Sequence, residues 1–264
     1  MKTITSYSIK GGSGKSTLTV LMTNAISRAG YRSLVLDADP SNHSLSSYFD
    51  EPASPTRLTA NEKLAAQGKT IFNLFMGDKI EDCVRRMNDR LDLIRGDVRL
   101  NEFRSTDSMK RLKRALQVAD YDFCIIDTPP TYDNIVANVL TASDILLIPV
   151  QQDVFSYQAL RYQFQKLSYL ELADLDTHIV LNQFERPLTD NQGAYRNQIA
   201  NLFLEDETFK PFINPNRISR SSALRKYINM PNYRLDTRVE TRKVYEEIKS
   251  LVKSIFGIDI KEAL

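Results

Sequence analysis

Ile9-Lys10-Gly11-Gly12-Ser13-Gly14-Lys15-Ser16-Thr17 is the stretch that decides the fold of this chain. It follows a short run, Thr3 to Ser8, that alternates polar and apolar residues as a strand does, and it precedes a helix-like run from Leu18 to Arg28. A glycine-rich turn between a strand and a helix aims backbone N–H groups at one point. The helix N-terminus adds positive partial charge there, so a phosphate group fits. Gly14-Lys15-Ser16 supplies a lysine for terminal phosphates and a hydroxyl for Mg²⁺. A flexible connecting turn is the bland account. Three glycines, the Lys-Ser pair and both flanks tell against it.

The stretch departs from the general phosphate loop G-x-x-x-x-G-K-[ST], which would place a glycine at position 9. Here Ile9 stands there, followed by a second lysine, Lys10. A cation just ahead of the glycines does not easily share the pocket already held by Lys15, and it can project outward, towards a neighbouring subunit's nucleotide. These residues resemble the deviant Walker A ATPases of the ParA/MinD type, whose loop reads K-G-G-x-G-K-[ST]. The resemblance implies ATP as ligand, with Lys10 to Thr17 as its binding loop, and implies that Lys10 crosses a dimer interface to the partner's phosphates.

Composition is that of a soluble globular protein, with 42% hydrophobic and 26% charged residues among 264, enough chain to bury a sizeable core. A net charge of +2 gives no global field that would argue for nucleic acid. The distribution is uneven, however: Lys210 to Lys253 holds eleven Lys/Arg against four Asp/Glu, which hints at an anionic partner. Two cysteines far apart, Cys83 and Cys124, exclude a disulfide framework or a paired-cysteine cluster site. Met1-Lys2-Thr3 leads straight into the first strand, leaving no room for a signal peptide. The strongly apolar runs are about strand length, far short of a membrane span. The expectation is a reduced, cytoplasmic protein.

Strand-like and helix-like runs alternate along the chain, which favours an α/β fold with a mostly parallel, twisted sheet flanked by helices. Strand candidates are Ser33 to Leu36, Leu91 to Ile94, Tyr121 to Asp127, Ile145 to Val150 and His178 to Leu181. Helix candidates are Ile71 to Phe75, Ser108 to Ala119, Val154 to Leu172, Asn191 to Leu204 and Arg238 to Phe256. Pro52 and Pro55 mark a loop, and no linker divides the chain, so residues 1–264 read as a single domain.

An apolar strand ending in one aspartate, Cys124-Ile125-Ile126-Asp127, delivers a carboxylate to the crevice where ligands of such sheets bind. Asp127-Thr128-Pro129-Pro130 resembles the family's Walker B and switch II stretch, with the metal contact through water. Asp37-Ala38-Asp39-Pro40 ends the second strand. The two side chains are expected to point in opposite directions, one towards the metal and one towards the γ-phosphate. This segment resembles the family's D-x-D-P motif, which makes Asp39 the residue that assists attack by water and Asp37 a metal-side supporter alongside Ser16. Many partition ATPases carry glutamine after the proline, whereas this chain has Ser41. Asn182 follows a strand, and its amide offers both donor and acceptor to a base edge. In the family an asparagine at that strand end contacts adenine. A turn-capping role is the plain alternative for each of these residues. His43 and His178 are isolated and read as neither ligand nor catalyst.

The basic tail includes Arg217, Arg220, Arg225, Lys226, Arg234, Arg238, Arg242 and Lys243. Such residues neutralise DNA phosphates without reading bases, or simply form a solvated face. ParA-type proteins bind DNA non-specifically in this region. The family's usual motif is only partly kept here, at Ser221-Ser222-Ala223, so the first four are the candidate contacts. The resemblance, closest to short ParA (Soj-type) partition ATPases, implies a Mg²⁺-dependent ATPase, slow until stimulated, that dimerises on ATP. It also implies non-specific DNA binding, a nucleoid-associated location and a ParB-type partner, in the service of segregating a plasmid, chromosome or other cargo. The rival is a membrane-positioning ATPase of the MinD type, which needs an amphipathic basic helix at the C-terminus. Val244 to Phe256 has the periodicity, but Glu246 and Glu247 dilute its charge, and a core-packing helix accounts for it better.

Overall fold

The strands around the glycine loop are buried on both faces, as a sheet covered by helices on each side requires. Those at Ser33–Asp37, Phe123–Asp127 and Ile145–Val150 are mainly apolar, and that at Lys2–Ser6 carries the small polar residues Thr3, Thr5 and Ser6. The computed structural model describes residues 1–41, 44–49, 68–105, 109–170, 175–184, 191–229, 234–239, 241–261 and 264. The strands are β1 (Lys2–Ser6), β2 (Ser33–Asp37), β3 (Arg85–Arg86), β4 (Leu91–Ile94), β5 (Phe123–Asp127), β6 (Ile145–Val150), β7 (Asp176–Phe184) and β8 (Ile218–Ser219). Among the described residues they form one sheet in the order β3-β4-β2-β5-β1-β6-β7-β8. All pairings are parallel except β3 with β4. Strand β1 lies between β5 and β6, so the chain leaving its C-terminal end emerges at a topological switch point, where ligands of open α/β sheets bind.

The helices are α1 (Lys15–Arg28), α2 (Ser44–Phe49), α3 (Ile71–Met76), α4 (Ile80–Cys83), α5 (Arg111–Leu116), α6 (Asn134–Thr141), α7 (Val154–Ser168), α8 (Asn191–Glu205), α9 (Ser222–Asn229) and α10 (Arg242–Phe256). The pleat sorts side chains between two layers. Val35, Ile125 and Leu147 pack with Leu18, Leu21 and Met22 of α1 and with Ile248, Leu251 and Val252 of α10. On the opposite face, Leu34, Leu36, Cys124 and Ile126 meet α3, α5 and α6. Leu146, Ile148 and Ile179 meet Leu160 of α7 and Phe203 of α8. Cys124 is thus a buried core residue, and burial pushes its thiol far above the ordinary range.

Several boundaries differ from the sequence reading. Strand β1 ends at Ser6, two residues early, because after a last bond from the Tyr7 N–H to the Leu147 carbonyl the chain leaves the ladder towards the loop. Helix α10 starts at Arg242 rather than Arg238, because Asp236 to Thr241 is tied into a turn: the Thr241 hydroxyl bonds Asp236, and the Thr241 N–H donates to the Arg238 carbonyl. Strand β7 runs on to Phe184, so Asn182 lies inside the strand rather than after it. Helix α5 is confined to Arg111–Leu116. The Pro52 to Pro55 loop and the ends of the Ser108 and Leu172 helix readings lie outside the described residues. The short elements β3, β8 and α6 had no separate sequence reading.

Candidate functional site

Beyond β1, the Tyr7 N–H still donates to the Leu147 carbonyl at 2.9 Å, after which the chain turns through the glycines into α1. Gly12 and Gly14 adopt φ of 73° and 102°, left-handed values that L side chains resist. Gly14 is the N-cap of α1 and offers no side chain, so the first-turn amides of the helix lack a side-chain acceptor from the cap. A Cβ at Gly14 would also collide with the Asn182 side-chain amide, whereas Gly11 and Gly12 have open space around them. Ser13 is buried, and its carbonyl accepts from Asn182 Nδ2 at 2.8 Å. Lys15 is buried at the helix start, while Ser16 and Thr17 are half-buried.

The carboxylates converge on the same place. Asp37 and Asp127 end β2 and β5 as neighbours in register, and both are fully buried. Burial raises the Asp127 carboxyl to about 7, helped by the negative charges of Asp37 and Asp39 and opposed by the Ser16 hydrogen bond and by Lys15. Burial likewise lowers the Lys15 ammonium, against the pull of Asp127 and Asp39. Asp127 Oδ2 has no hydrogen-bond partner, an uncompensated buried oxygen aimed at nothing the protein supplies. Asp37 is differently placed. Its Oδ2 accepts from the Ser46 N–H and hydroxyl at 2.9 and 2.6 Å, and its Oδ1 faces the Asp39 N–H at 3.3 Å. The expected opposition of the two side chains does not hold, since residues two apart on a strand share a face, and β2 in any case stops at Asp37, short of Asp39. Asp39 sits in a turn in which its own Oδ1 accepts from the Ser41 N–H at 2.9 Å.

The oxygen-only donor set of Ser16 and Asp127, with an orphaned carboxylate oxygen, fits Mg²⁺, a hard cation that binds one or two carboxylates together with nucleotide phosphates. Among the described residues no three His, Cys, Asp or Glu side chains come together as a metal site.

Lys10 is held within its own chain. Its Nζ donates to Asp153 Oδ2 at 2.6 Å, to the Ser156 hydroxyl at 2.9 Å and to Gln151 Oε1 at 3.3 Å. Asp153 is the N-cap of α7, and its other oxygen takes the Ser156 N–H. Burial pushes the Asp153 carboxyl up, but Lys10 and the Ser156 donors outweigh it and leave the group below the usual carboxylate range. Gln151 Nε2 also reaches back to the Gly12 carbonyl at 2.9 Å. The sequence reading missed Gln151, Asp153 and Ser156. An aspartate three residues before a serine at a helix start is a capping signal, but nothing in the sequence ties it to a lysine some 140 positions away.

Asn182 is 3% exposed, and while its Nδ2 is used by Ser13, its Oδ1 is buried with no partner. His178 lies on β7 beside Asn214 and Asp176, apart from these groups, and His43 is outside the described residues. Arg217, Arg220, Arg225 and Lys226 are all exposed around β8 and α9, with the Arg217 guanidinium 4.4 Å above the Phe184 ring. Of the other tail cations, Arg238 pairs with Asp236, and Lys243 bonds the Ser219 hydroxyl and approaches Glu247.

Residues 1–181 match the family described as an AAA domain. Over 81% of its length the chain is 27% identical to the sporulation initiation inhibitor protein Soj of Bacillus subtilis, covering 84% of that protein. The chain belongs to the ParA-type ATPase family. A second ParA-type relative, the maintenance of carboxysome distribution protein A of Synechococcus elongatus, is 32% identical over 57% of this chain, and the match spans 58% of that relative's length. Among solved structures, a Borrelia burgdorferi B31 protein assigned to plasmid partition and bound to AMPPNP superposes with a TM-score of 0.73 at 25% identity. That superposition covers 96% of this chain and 99% of the other. The ParA-type fold therefore extends across the match beyond residue 181.

Proposed function

We propose that this ParA-type chain is a Mg²⁺-dependent ATPase that works as a dimerisation switch. The observation that carries this reading is the meeting of Lys15, Ser16, Asp39 and Asp127 at the mouth of a glycine loop on the sheet's switch point. Loop amides and Lys15 hold the phosphates of ATP, and Asn182 Oδ1 is free to accept from the adenine amino group. Ser16 and Asp127, directly or through water, would hold Mg²⁺, which would supply charge neutralisation to the phosphate oxygens. Asp39, fixed by its turn, orients the attacking water. Asp37 keeps that turn in place through Ser46 and the Asp39 N–H, a supporting role.

Lys10 is the residue that turns one site into half of a pair. In its own chain it rests on Asp153. On dimerisation it leaves that carboxylate for the partner's phosphates, and the charge it adds stabilises the transition state. Two of the proteins named above are named for carboxysome distribution and for plasmid partition, which supports a cargo-positioning task here. The exposed cations around β8 and α9 suit non-specific DNA, on which a nucleoid-bound dimer would be held until a ParB-type partner stimulates hydrolysis.

The C-terminal helix bears on the membrane alternative. Val244, Tyr245, Ile248, Leu251, Val252 and Ile255, the apolar face that would enter a bilayer, are buried in the core. No helix among the described residues is long and apolar enough to cross a membrane. DNA therefore stands ahead of lipid as the anionic surface. The test is phosphate release with and without DNA and a partner protein, together with sedimentation with DNA or anionic liposomes in ATP. Turnover that survives Lys15→Ala, or ATP-dependent sedimentation with liposomes but not DNA, refutes the reading.

A further inference from the structure

Lys10 hangs from a backbone segment that belongs to no regular element. After one last ladder bond, from the Tyr7 N–H to the Leu147 carbonyl, residues 7–9 have left β1 and have not reached α1, so the sheet fixes neither the Tyr7 carbonyl nor the Ile9 N–H. One side chain replaces the missing ladder. Gln163, on α7 and 1% exposed, accepts from the Ile9 N–H through Oε1 at 3.1 Å and donates through Nε2 to the Tyr7 carbonyl at 3.4 Å. A primary amide carries one acceptor and one donor side by side, the same pair a neighbouring strand would present. Its own helix is anchored at the far end: the Tyr132 hydroxyl donates to the Lys166 carbonyl at 3.1 Å, four residues past the Asp127-Thr128 strand end. Lys166 Nζ lies over the Tyr162 and Tyr132 rings.

We infer that Gln163 is a positioning residue for Lys10, acting through the backbone of residues 7–9. The inference rests on the in-trans role proposed above for Lys10. Two tethers hold that segment to α7 while Lys10 is docked: the ammonium on Asp153 and the Gln163 amide. When Lys10 departs for the partner subunit, the first tether is gone. The Gln163 bonds are then what keep the Lys10 backbone where its side chain can span the interface. Without them the segment retains Lys15, Ser16 and the helix N-terminus, so nucleotide binding within one chain is untouched while delivery of Lys10 becomes imprecise. Misplacement by about 1 Å of a transition-state group costs on the order of a hundredfold in rate.

The experiment is a double-mutant cycle of Gln163→Met with Lys10→Ala on the full chain, reading ATP affinity, turnover in the presence of DNA, and amide exchange of residues 7–12. Gln163→Met fills the space without either hydrogen bond. The expected result has four parts: ATP affinity within about twofold of the parent, turnover down by about tenfold or more, no further loss when the same change is made in Lys10→Ala, and faster exchange at Ile9. Gln163→Asn, too short to reach both backbone groups, is expected to behave alike and stands in if the methionine variant does not fold. An equal turnover loss in both backgrounds overturns the inference, because Gln163 would then act independently of Lys10. A loss of ATP affinity matching the loss of turnover overturns it as well. If the parent protein shows no ATP turnover, the proposed function falls. The in-trans role of Lys10, and the inference with it, falls too, whereas unchanged exchange at Ile9 in a protein that does turn over ATP refutes the positioning role alone.

Discussion

Asp153→Asn isolates the ion pair that keeps Lys10 at home. Asparagine is as good an N-cap as aspartate, so the bond from the Ser156 N–H and the start of α7 survive the change. What is lost is the charge 2.6 Å from Lys10 Nζ. The two side chains are 25% and 34% exposed, so solvent screens the pair, and a value of about 1 kcal/mol is appropriate, between an exposed ion pair and a buried charge-assisted hydrogen bond. Each protomer of a symmetric dimer must break one such contact, so removing both favours association by about 2 kcal/mol, or roughly thirtyfold in the dimer dissociation constant. Sedimentation velocity with Mg²⁺ and a non-hydrolysable ATP analogue measures that constant directly. Asp153→Asn is expected to form dimer at lower protein concentration, and the gain should vanish when Lys10 is also changed to alanine. An unchanged or weaker dimer, or a gain that persists without Lys10, refutes the idea that the Asp153 contact opposes association.

Three further outcomes follow from the site. Asn182→Ala removes the Nδ2 bond to Ser13 and the orphaned Oδ1, worth about 1 kcal/mol, so ATP affinity measured by calorimetry should fall about fivefold with the melting temperature little changed. Gly14→Ala forces a non-glycine residue to φ 102° and drives its Cβ into Asn182. Urea unfolding should show a loss of at least about 1–3 kcal/mol, and pairing it with Asn182→Ala should recover the collision but not the backbone strain. Burial, with Asp37 and Asp39 adding to it, raises Asp127 to about 7, so the folded, metal-free chain holds a proton there that the unfolded chain releases near pH 4. Its stability should therefore decline as pH rises from about 4 to 7 and level off above, and Asp127→Asn should remove that portion of the slope in thermal melts.

The parts of the site legible in the sequence are those built from contiguous residues. The glycine loop, the strand ending at Asp127 and the Asp37-Ala38-Asp39-Pro40 turn each announce themselves because local spacing dictates both conformation and chemistry. The alternation of strands and helices was enough for an α/β sheet, and the helix over residues 242–256 was readable from its apolar period. What escaped was non-local. Asp153, Gln151 and Gln163 meet the loop only because β6 lies beside β1 and delivers α7 across it. The relation of Asp37 to Asp39 was misjudged on simpler grounds: residues two apart on a strand share a face, and here the strand ends at Asp37, with Asp39 in the turn beyond it. Strands of two residues, such as β3 and β8, are too short for any period to register.

Those two short strands carry a consequence for how copies of this molecule meet. They stand at the two margins of the sheet, and β3 presents the exposed Arg85 and Arg86. A margin so brief, and at one side so charged, offers almost no ladder on which a second sheet could continue. Edge-to-edge association, which once formed needs no nucleotide and answers to none, is thereby disfavoured. What remains for self-assembly is the end of the sheet where the loop, the carboxylates and Lys10 lie. Under the proposed dimerisation switch, contacts made there would form and dissolve with the charge state of a bound phosphate. The terse outer strands would thus help to keep encounters between subunits temporary, as the switch proposed above requires.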